Sequence, residues 1–225
     1  MHNPVFVAVD LPGLDDARAL VRRVAPHVGG VKLGLEFFCA AGPAGVAAIS
    51  ALGLPVFLDL KLHDIPNTVA GALHALGGLA PAIVTGHAAG GQAMLAAARA
   101  AAPAATKVVA VTVLTSLDED DLGAMGVAGS AAAQVARLAA VARGAGLDGV
   151  VASPHETAAL RAAWPDALLV IPGVRPAGSD VGDQKRVMTP RAARDAGASV
   201  LVIGRPITGA VDPAAAAAAI ARDLS

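Results

Sequence analysis

The sequence predicts an α/β protein, a single (β/α)8 TIM barrel with its active site at the C-terminal ends of the strands. Two observations predict this fold: short runs rich in β-branched residues alternate with longer alanine-rich helical segments, and the alternation occurs eight times along the 225 residues. Neither a linker nor a change in composition divides the chain, so we expect one domain over residues 1–225. A doubly wound open sheet is the alternative that the same alternation allows.

Four strand–helix units are predicted in the first half of the chain. The strands are expected at residues 5–10, 30–34, 56–61 and 82–86, and the helices at residues 14–25, 36–52, from Pro66 onward, and 91–101. The strands are apolar runs, which is typical of strands buried on both faces of a parallel sheet. Pro66 is tolerated at the first position of its helix, because that position needs no backbone N–H donor.

Four further units are predicted in the second half. The strands are expected at residues 107–114, 149–152, 168–171 and 200–203, and the helices near 130–144 and after Ser153, Thr189 and Asp212. Those last three residues each precede a proline, a pattern typical of an N-cap followed by the first helical residue. Residues 172–188 form the longest irregular stretch, and loops of that length often act as lids or binding loops.

Composition excludes several classes of function. The formal net charge is -1 and aromatic content is 2%, so the chain lacks the basic and stacking surfaces with which proteins bind nucleic acids. Its apolar stretches fall short of the ~18 residues of a membrane span, and the start of the chain lacks the cationic region of a signal peptide. The single cysteine, Cys39, fits a reducing compartment. We therefore expect a soluble cytoplasmic protein.

The few charged residues of the predicted strands lie at one rim of the barrel. Asp10 ends the first strand, Lys32 lies in the second, and Asp59 and Lys61 end the third. Carboxyl ends of barrel strands form the mouth at which active sites lie, and residues two apart in a strand point to the same face. Because buried ion pairs often add little stability, this alternating array favours function over the alternative of a salt bridge at a strand end.

A phosphate site is predicted on the far side of the mouth. Gly173 and Arg175 follow the seventh strand, Gly204 and Arg205 follow the eighth, and Gln184 lies in the long loop between them. Loops after these two strands commonly bind phosphate, since glycine lets backbone N–H groups approach an anion and arginine adds a charged fork. The alternative is that the glycines serve turns and the arginines are solvated. The chain lacks the glycine-rich dinucleotide and P-loop motifs, and its six histidines lack metal-ligand spacing.

The stretch 59–68, which reads DLKLHDIPNT, resembles the signature of the orotidine 5'-phosphate decarboxylase family. Shorter matches extend over nearly the whole chain: VAVD at 7–10, VKLG at 31–34, GHAAGG at 86–91, VTVLTS at 111–116, PGVRP at 172–176 with DQ at 183–184, and VIGRPI at 202–207. The resemblance implies decarboxylation of orotidine 5'-phosphate to UMP, the last step of de novo pyrimidine synthesis. It also implies no metal and no organic cofactor, and a homodimer with shared active sites.

The resemblance further implies a role for each matched residue. Lys61 would protonate C6 of the pyrimidine as the carboxylate leaves, Asp59 would lie beside that carboxylate, and Lys32 and Asp64 of the partner subunit would complete the charge array. The implied substrate-binding residues are Asp10 and Lys32 with Thr68 of the partner subunit for the ribose, Asp59 and Thr115 for the pyrimidine and its carboxylate, and Arg175, Gln184, Gly204 and Arg205 for the phosphate.

Two other functions compete with this interpretation. The sister barrels 3-keto-L-gulonate 6-phosphate decarboxylase and hexulose 6-phosphate synthase share the D-x-K-x-x-D pattern and use Mg²⁺ to stabilise an enediolate. The continuation at residues 65–68 and the pairing of Arg175 with Gln184 favour the orotidine family. A barrel that binds a phosphate ligand without catalysis is the second competitor, and it predicts no turnover of orotidine 5'-phosphate.

Overall fold

The computed structural model describes residues 3–176 and 188–225. Eight parallel strands close into a barrel in the order of the sequence, which confirms the predicted (β/α)8 fold and excludes the open sheet. The strands are β1 (Val5–Ala8), β2 (Gly30–Leu33), β3 (Val56–Leu62), β4 (Ile83–His87), β5 (Lys107–Val111), β6 (Gly149–Val151), β7 (Leu168–Ile171) and β8 (Val200–Ile203).

The α-helices lie between the strands and after the last one. They are α1 (Leu14–Val24), α2 (Leu35–Ser50), α3 (Pro66–Leu76), α4 (Gly91–Ala101), α5 (Glu119–Ala124), α6 (Ala131–Gly144), α7 (Thr157–Ala163), α8 (Pro190–Asp195), α9 (Arg205–Thr208) and α10 (Pro213–Asp223). The side chains of Ser153, Thr189 and Asp212 each accept a backbone N–H bond, as predicted for N-caps. Among the described helices, none is both long and apolar enough to cross a membrane.

Several strand ends differ from the predicted ones. β1 ends at Ala8 and β5 at Val111, before the predicted ends at residues 10 and 114, whereas β3 continues to Leu62. Ala8, which pairs with Lys32, is the last residue of β1 in the parallel ladder with β2. Asp10 therefore lies in the loop above β1, where its side chain is free of the strand's alternation.

The packed interior of the barrel forms the floor of the site. This inner layer consists of Phe6, Ala8, Phe57, Ile83, Val109, Val170, Val200 and Val202. Gly30 makes space for one of its two phenylalanines, because a Cβ atom at Gly30 would lie 2.3 Å from the Phe6 ring. Ala8, Phe57 and Val202 also line the cavity above. A second, larger core fills the space between the sheet and the surrounding helices.

Candidate active site

A cavity of about 490 Å³ opens at the carboxyl ends of the strands. It brings together most of the residues predicted from the sequence, although they come from distant parts of the chain. The predicted residues that line it are Asp10, Lys32, Asp59, Lys61, Thr115, Arg175, Gly204 and Arg205. The cavity has the volume and the mixture of apolar floor and converging polar groups that are typical of small-molecule sites.

Two ion pairs place alternating charges along one wall of the cavity. Lys32 Nζ lies 2.8 Å from Asp10 Oδ1, and Lys61 Nζ lies 2.8 Å from Asp59 Oδ2. Gly34 leaves room for the first pair, because a Cβ atom there would lie 2.9 Å from Lys32 Nζ. An ammonium group has three donors, so each lysine keeps bonding capacity beyond its carboxylate partner. This capacity faces the cavity, where 31% of the Lys61 side chain is exposed.

Lys61 reaches the cavity through a break in the β3–β4 ladder. From Leu58 to Leu62 the chain of β3 advances four residues, while its partner strand advances only two, from Val84 to Gly86. Lys61 lies within this irregularity with a φ of 52°, in the left-handed region that non-glycine residues rarely adopt. The regular strand alternation assumed from the sequence is therefore wrong here, although both Asp59 and Lys61 do line the cavity. Such backbone strain is often found at active sites.

Thr85 of β4 supports this pair and was missed by the sequence analysis. Its side chain is fully buried. The backbone N–H of Lys61 donates to Thr85 Oγ1 at 2.8 Å, and Thr85 Oγ1 donates to Asp59 Oδ1 at 3.0 Å. A threonine in the otherwise apolar run of strand 4 was the available signal, but its partners depend on a register that the sequence does not reveal.

The predicted phosphate residues follow β7 and β8, and β8 pairs with β1 in the closed barrel. Arg175 is buried, and its backbone N–H donates to the carbonyl of Met188 at 2.9 Å, which joins the two described ends of the long loop. Gly173 has a φ of 73°, so a residue other than glycine would be strained there. Gly204 and Arg205 lie between β8 and α9. Gln184, the remaining predicted phosphate residue, lies outside the described residues.

Asp64 and Thr68 do not line this cavity, within the part of the chain that the structure describes. Both are exposed: Asp64 lies just before α3 and Thr68 lies in the first turn of α3. Asp64 Oδ1 accepts a bond from the backbone N–H of Ile65 at 2.6 Å. The neighbouring Ile65 side chain is 65% exposed. The structure thus separates these two residues from the charge array of their own subunit.

A histidine pair lies beside the array. The rings of His63 and His87 stack with their centroids 5.3 Å apart, and His87 Nδ1 accepts a bond from the backbone N–H of Ala89. Burial lowers the pKa of His87, and electrostatic interaction with His63 and Lys61 lowers it further. Among residues 3–176 and 188–225, no three His, Cys, Asp or Glu side chains group as a metal site.

Comparisons with known proteins agree with the geometry. Residues 3–220 match the family described as "Orotidine 5'-phosphate decarboxylase / HUMPS family". The chain is 62% identical to an orotidine 5'-phosphate decarboxylase of Novosphingobium aromaticivorans and 58% identical to one of Sphingopyxis alaskensis, with 100% of each chain covered. The crystal structure of orotidine 5'-phosphate decarboxylase from Lactobacillus acidophilus superposes with a TM-score of 0.87 at 39% identity, covering 99% of both chains. The chain belongs to the orotidine 5'-phosphate decarboxylase family.

Proposed function

We propose that the mouth of this barrel carries out the family's reaction, the decarboxylation of orotidine 5'-phosphate to UMP in pyrimidine synthesis, through Lys61 and Asp59. The observation that carries the proposal is their ion pair, 2.8 Å long and open to the cavity. Relatives at 62% and 58% identity over the whole chain bear the name of this decarboxylase, which disfavours the magnesium-dependent sister activities.

The chemistry requires a positively charged group beside C6 of the pyrimidine. When the bond between C6 and the carboxylate breaks, carbon dioxide leaves and the electron pair stays on C6, with little delocalisation to absorb it. A preorganised ammonium group stabilises charge that develops in this way, since it needs no reorientation during the reaction. Lys61 supplies this group and then passes an N–H proton to C6, which gives UMP and a neutral amine that solvent reprotonates.

Asp59 has two tasks in this mechanism. It fixes the Lys61 ammonium through the 2.8 Å ion pair. We also infer that the substrate carboxylate binds beside it. Repulsion between the two carboxylates is relieved when carbon dioxide departs, which lowers the barrier from the substrate side. Lys32 and Asp64 of the partner subunit complete the alternating array.

Contacts remote from C6 supply binding energy for ordering the site. Asp10 and Lys32 hold the ribose hydroxyls, with Thr68 of the partner subunit, and Thr115 contacts the pyrimidine. The phosphate is held by Arg175, Gly204 and Arg205, together with Gln184. Since the phosphate is present in both orotidine 5'-phosphate and UMP, its contacts do not change during the reaction and serve to position the ring. The predicted closure of the loop 172–188 involves residues 177–187, which lie outside the described residues.

The proposal includes a homodimer with shared sites. Asp64 and Thr68 lie outside the cavity of their own subunit, on an exposed segment that also presents Ile65. An apolar side chain with 65% exposure beside two polar residues is well suited to pack against a second copy of the chain. The absence of metal and organic cofactors, the lack of nucleic-acid and membrane partners, and the cytoplasmic location stay predictions from the sequence.

The reaction is tested by following the loss of orotate absorbance after adding orotidine 5'-phosphate in excess EDTA. We expect full activity in the chelator, and we expect Lys61→Ala to lose at least ~10⁴-fold in kcat while still binding UMP. Inactivation by EDTA would point to the magnesium-dependent sister chemistry. A wild-type protein that binds UMP without turnover would indicate a non-catalytic barrel.

The shared site is tested by mixing two inactive variants, Lys61→Ala and Asp64→Asn. In a hybrid dimer one site lacks both residues, whereas the other receives Lys61 from one subunit and Asp64 from its partner. Random exchange of subunits should therefore restore about a quarter of the wild-type activity, because half of the dimers are hybrids with one intact site. A mixture that stays inactive after subunit exchange would show that the sites are not shared in this way.

A further inference from the structure

We propose that Thr85 is a positioning residue for the decarboxylation, whose buried hydroxyl holds both Asp59 and the backbone of Lys61 in the reactive arrangement. This proposal rests on the function proposed above, in which Lys61 and Asp59 act on the substrate. Thr85 does not line the cavity, so its effect must pass through these two neighbours.

The backbone of Lys61 depends on Thr85 for a hydrogen bond. The irregularity between β3 and β4 removes the regular ladder between Leu58 and Leu62, so the N–H groups in this stretch need other acceptors. The Lys61 N–H donates to Thr85 Oγ1 at 2.8 Å, in place of a carbonyl of β4. This bond anchors a residue with a φ of 52°, a conformation that persists only where its surroundings fix it.

The Thr85 hydroxyl accepts one hydrogen bond and donates another. A hydroxyl group has one proton, and Thr85 Oγ1 already accepts the Lys61 N–H, so its own proton is available for Asp59 Oδ1 at 3.0 Å. Asp59 Oδ2 receives the Lys61 ammonium at 2.8 Å. These bonds form a closed ring that leads from the Lys61 backbone through Thr85 and Asp59 to the Lys61 side chain. The hydroxyl thereby fixes the rotation of the carboxylate and the starting point of the lysine chain together.

The consequence is an effect on turnover rather than on affinity. Without the hydroxyl, the carboxylate loses one of its two anchors and the strained Lys61 backbone is released, so the ammonium group shifts relative to C6. A misplacement of about 1 Å at a reacting group can cost roughly 10²-fold in rate. The ribose and phosphate contacts lie elsewhere on the cavity wall, and they should be kept.

Thr106 provides a matched control at the other end of the barrel. Its side chain is also buried, and its hydroxyl donates to the carbonyl of Pro81 at 2.8 Å, where β4 and β5 begin. Replacing either threonine by valine removes one buried hydroxyl at nearly constant volume. A merely structural role for Thr85 therefore predicts that both variants behave alike.

The test compares Thr85→Val, Thr85→Ser and Thr106→Val by kcat, KM for orotidine 5'-phosphate, UMP affinity and thermal midpoint. We expect Thr85→Val to lose roughly 10²-fold in kcat, with KM and UMP affinity within about threefold of wild type. Thr85→Ser keeps the hydroxyl and should recover most of the lost kcat. Thr106→Val should lower the thermal midpoint and leave kcat close to wild type.

Three outcomes would overturn the proposal: wild-type kcat in Thr85→Val, a serine variant as slow as the valine variant, or an equal loss of kcat in Thr106→Val. If Thr85→Val does not fold, Thr85→Ala takes its place against Thr85→Ser, with the same expected difference and the same contradiction. The Lys61→Ala variant distinguishes a failure of the proposed mechanism from a failure of the role proposed for Thr85. Turnover in Lys61→Ala rejects the mechanism, whereas its loss together with wild-type kcat in Thr85→Val rejects only the role of Thr85.

Discussion

The two ends of this barrel carry the same pair of residue types at the same distance, with different surroundings. At the mouth, Lys61 Nζ lies 2.8 Å from Asp59. At the amino end, where β5 and β6 begin, Lys107 Nζ lies 2.8 Å from Asp148. Only the surroundings distinguish the two pairs, so the comparison sets the pair that we propose to be reactive against a pair with a structural role.

Asp148 uses its bonding capacity within the protein. Besides Lys107, it accepts bonds from Arg99 Nη1 at 2.7 Å and from the backbone N–H of Val108 at 2.9 Å. Burial alone would raise the pKa of Asp148, but the hydrogen bonds from Lys107 and Val108 and the charges of Lys107 and Arg99 hold it below the ordinary value. The carboxylate thus ties α4 to the starts of β5 and β6.

Asp59 and Lys61 do not use all of their hydrogen-bonding capacity within the protein. Thr85 and Lys61 each bond one oxygen of Asp59, while the Lys61 ammonium has further donors directed at a cavity of about 490 Å³. The protein therefore orients the mouth pair without saturating it. We infer that a structural ion pair has its hydrogen bonds filled by other protein groups. A reactive ion pair keeps unfilled hydrogen-bonding capacity beside a cavity.

Asp59→Asn should give the largest effect and should separate activity from stability. The amide cannot hold the ammonium by charge, so kcat should fall by at least ~10³-fold. The free energy of unfolding should change by less than about 1 kcal/mol, since the asparagine keeps an oxygen that can accept the hydrogen bond from Thr85. Steady-state kinetics and urea unfolding measure the two quantities. A variant with kcat within tenfold of wild type would remove Asp59 from the mechanism.

Arg205→Ala should weaken binding at the mouth without loosening the fold. A charged contact to phosphate is worth about 3 kcal/mol, which corresponds to a rise of roughly 10²-fold in KM. The control is Arg23→Ala, which removes an exposed ion pair with Asp212 on the outer surface and should leave KM unchanged. An Arg205→Ala variant with wild-type KM would contradict the predicted phosphate site.

Asp148→Asn should show the opposite pattern to Asp59→Asn. Losing the charge in a network of three donors should lower the free energy of unfolding by about 2 kcal/mol, while kcat stays at the wild-type level. The exposed Asp166 offers a control, since Asp166→Asn should change stability by less than about 0.5 kcal/mol. A loss of kcat in folded Asp148→Asn would break the distinction between the two ends.

The smallest expected effect is the pH dependence of the contribution that Asp148 makes to the free energy of unfolding. Its pKa is lower in the folded protein than the ordinary 3.8, so the unfolded chain binds the proton more tightly. The stabilisation by Asp148 is fully present at pH values above the ordinary pKa of 3.8. It is lost as the pH falls through the pKa of the folded protein. The stability difference between wild type and Asp148→Asn should be constant from about pH 7 to pH 5 and should shrink below about pH 4. A constant difference down to pH 2 would contradict this linkage.

The sequence predicted the barrel and much of the mouth for a physical reason. Parallel strands bring their carboxyl ends to one rim, so Asp10, Lys32, Asp59 and Lys61 could be placed together from strand positions alone. Thr85 was missed because its two hydrogen bonds depend on a register break that no local pattern reveals.

The network of Asp148 was missed for a related reason. Its partners come from a helix and a neighbouring strand, and such contacts between elements leave no periodicity in the sequence. The strand predicted through residue 61 is present, but its regular alternation is wrong because the register between β3 and β4 shifts between Leu58 and Leu62. Departures of this kind from local rules are expected at functional sites.

The most direct test compares the two lysines, Lys61→Ala and Lys107→Ala, by kcat for orotidine 5'-phosphate in proteins shown to be folded. Each substitution removes an ammonium group that lies 2.8 Å from a carboxylate. We predict a loss of at least ~10⁴-fold for Lys61→Ala and a kcat within about twofold of wild type for Lys107→Ala. Equal losses in the two variants, or turnover by Lys61→Ala within tenfold of wild type, would contradict the account.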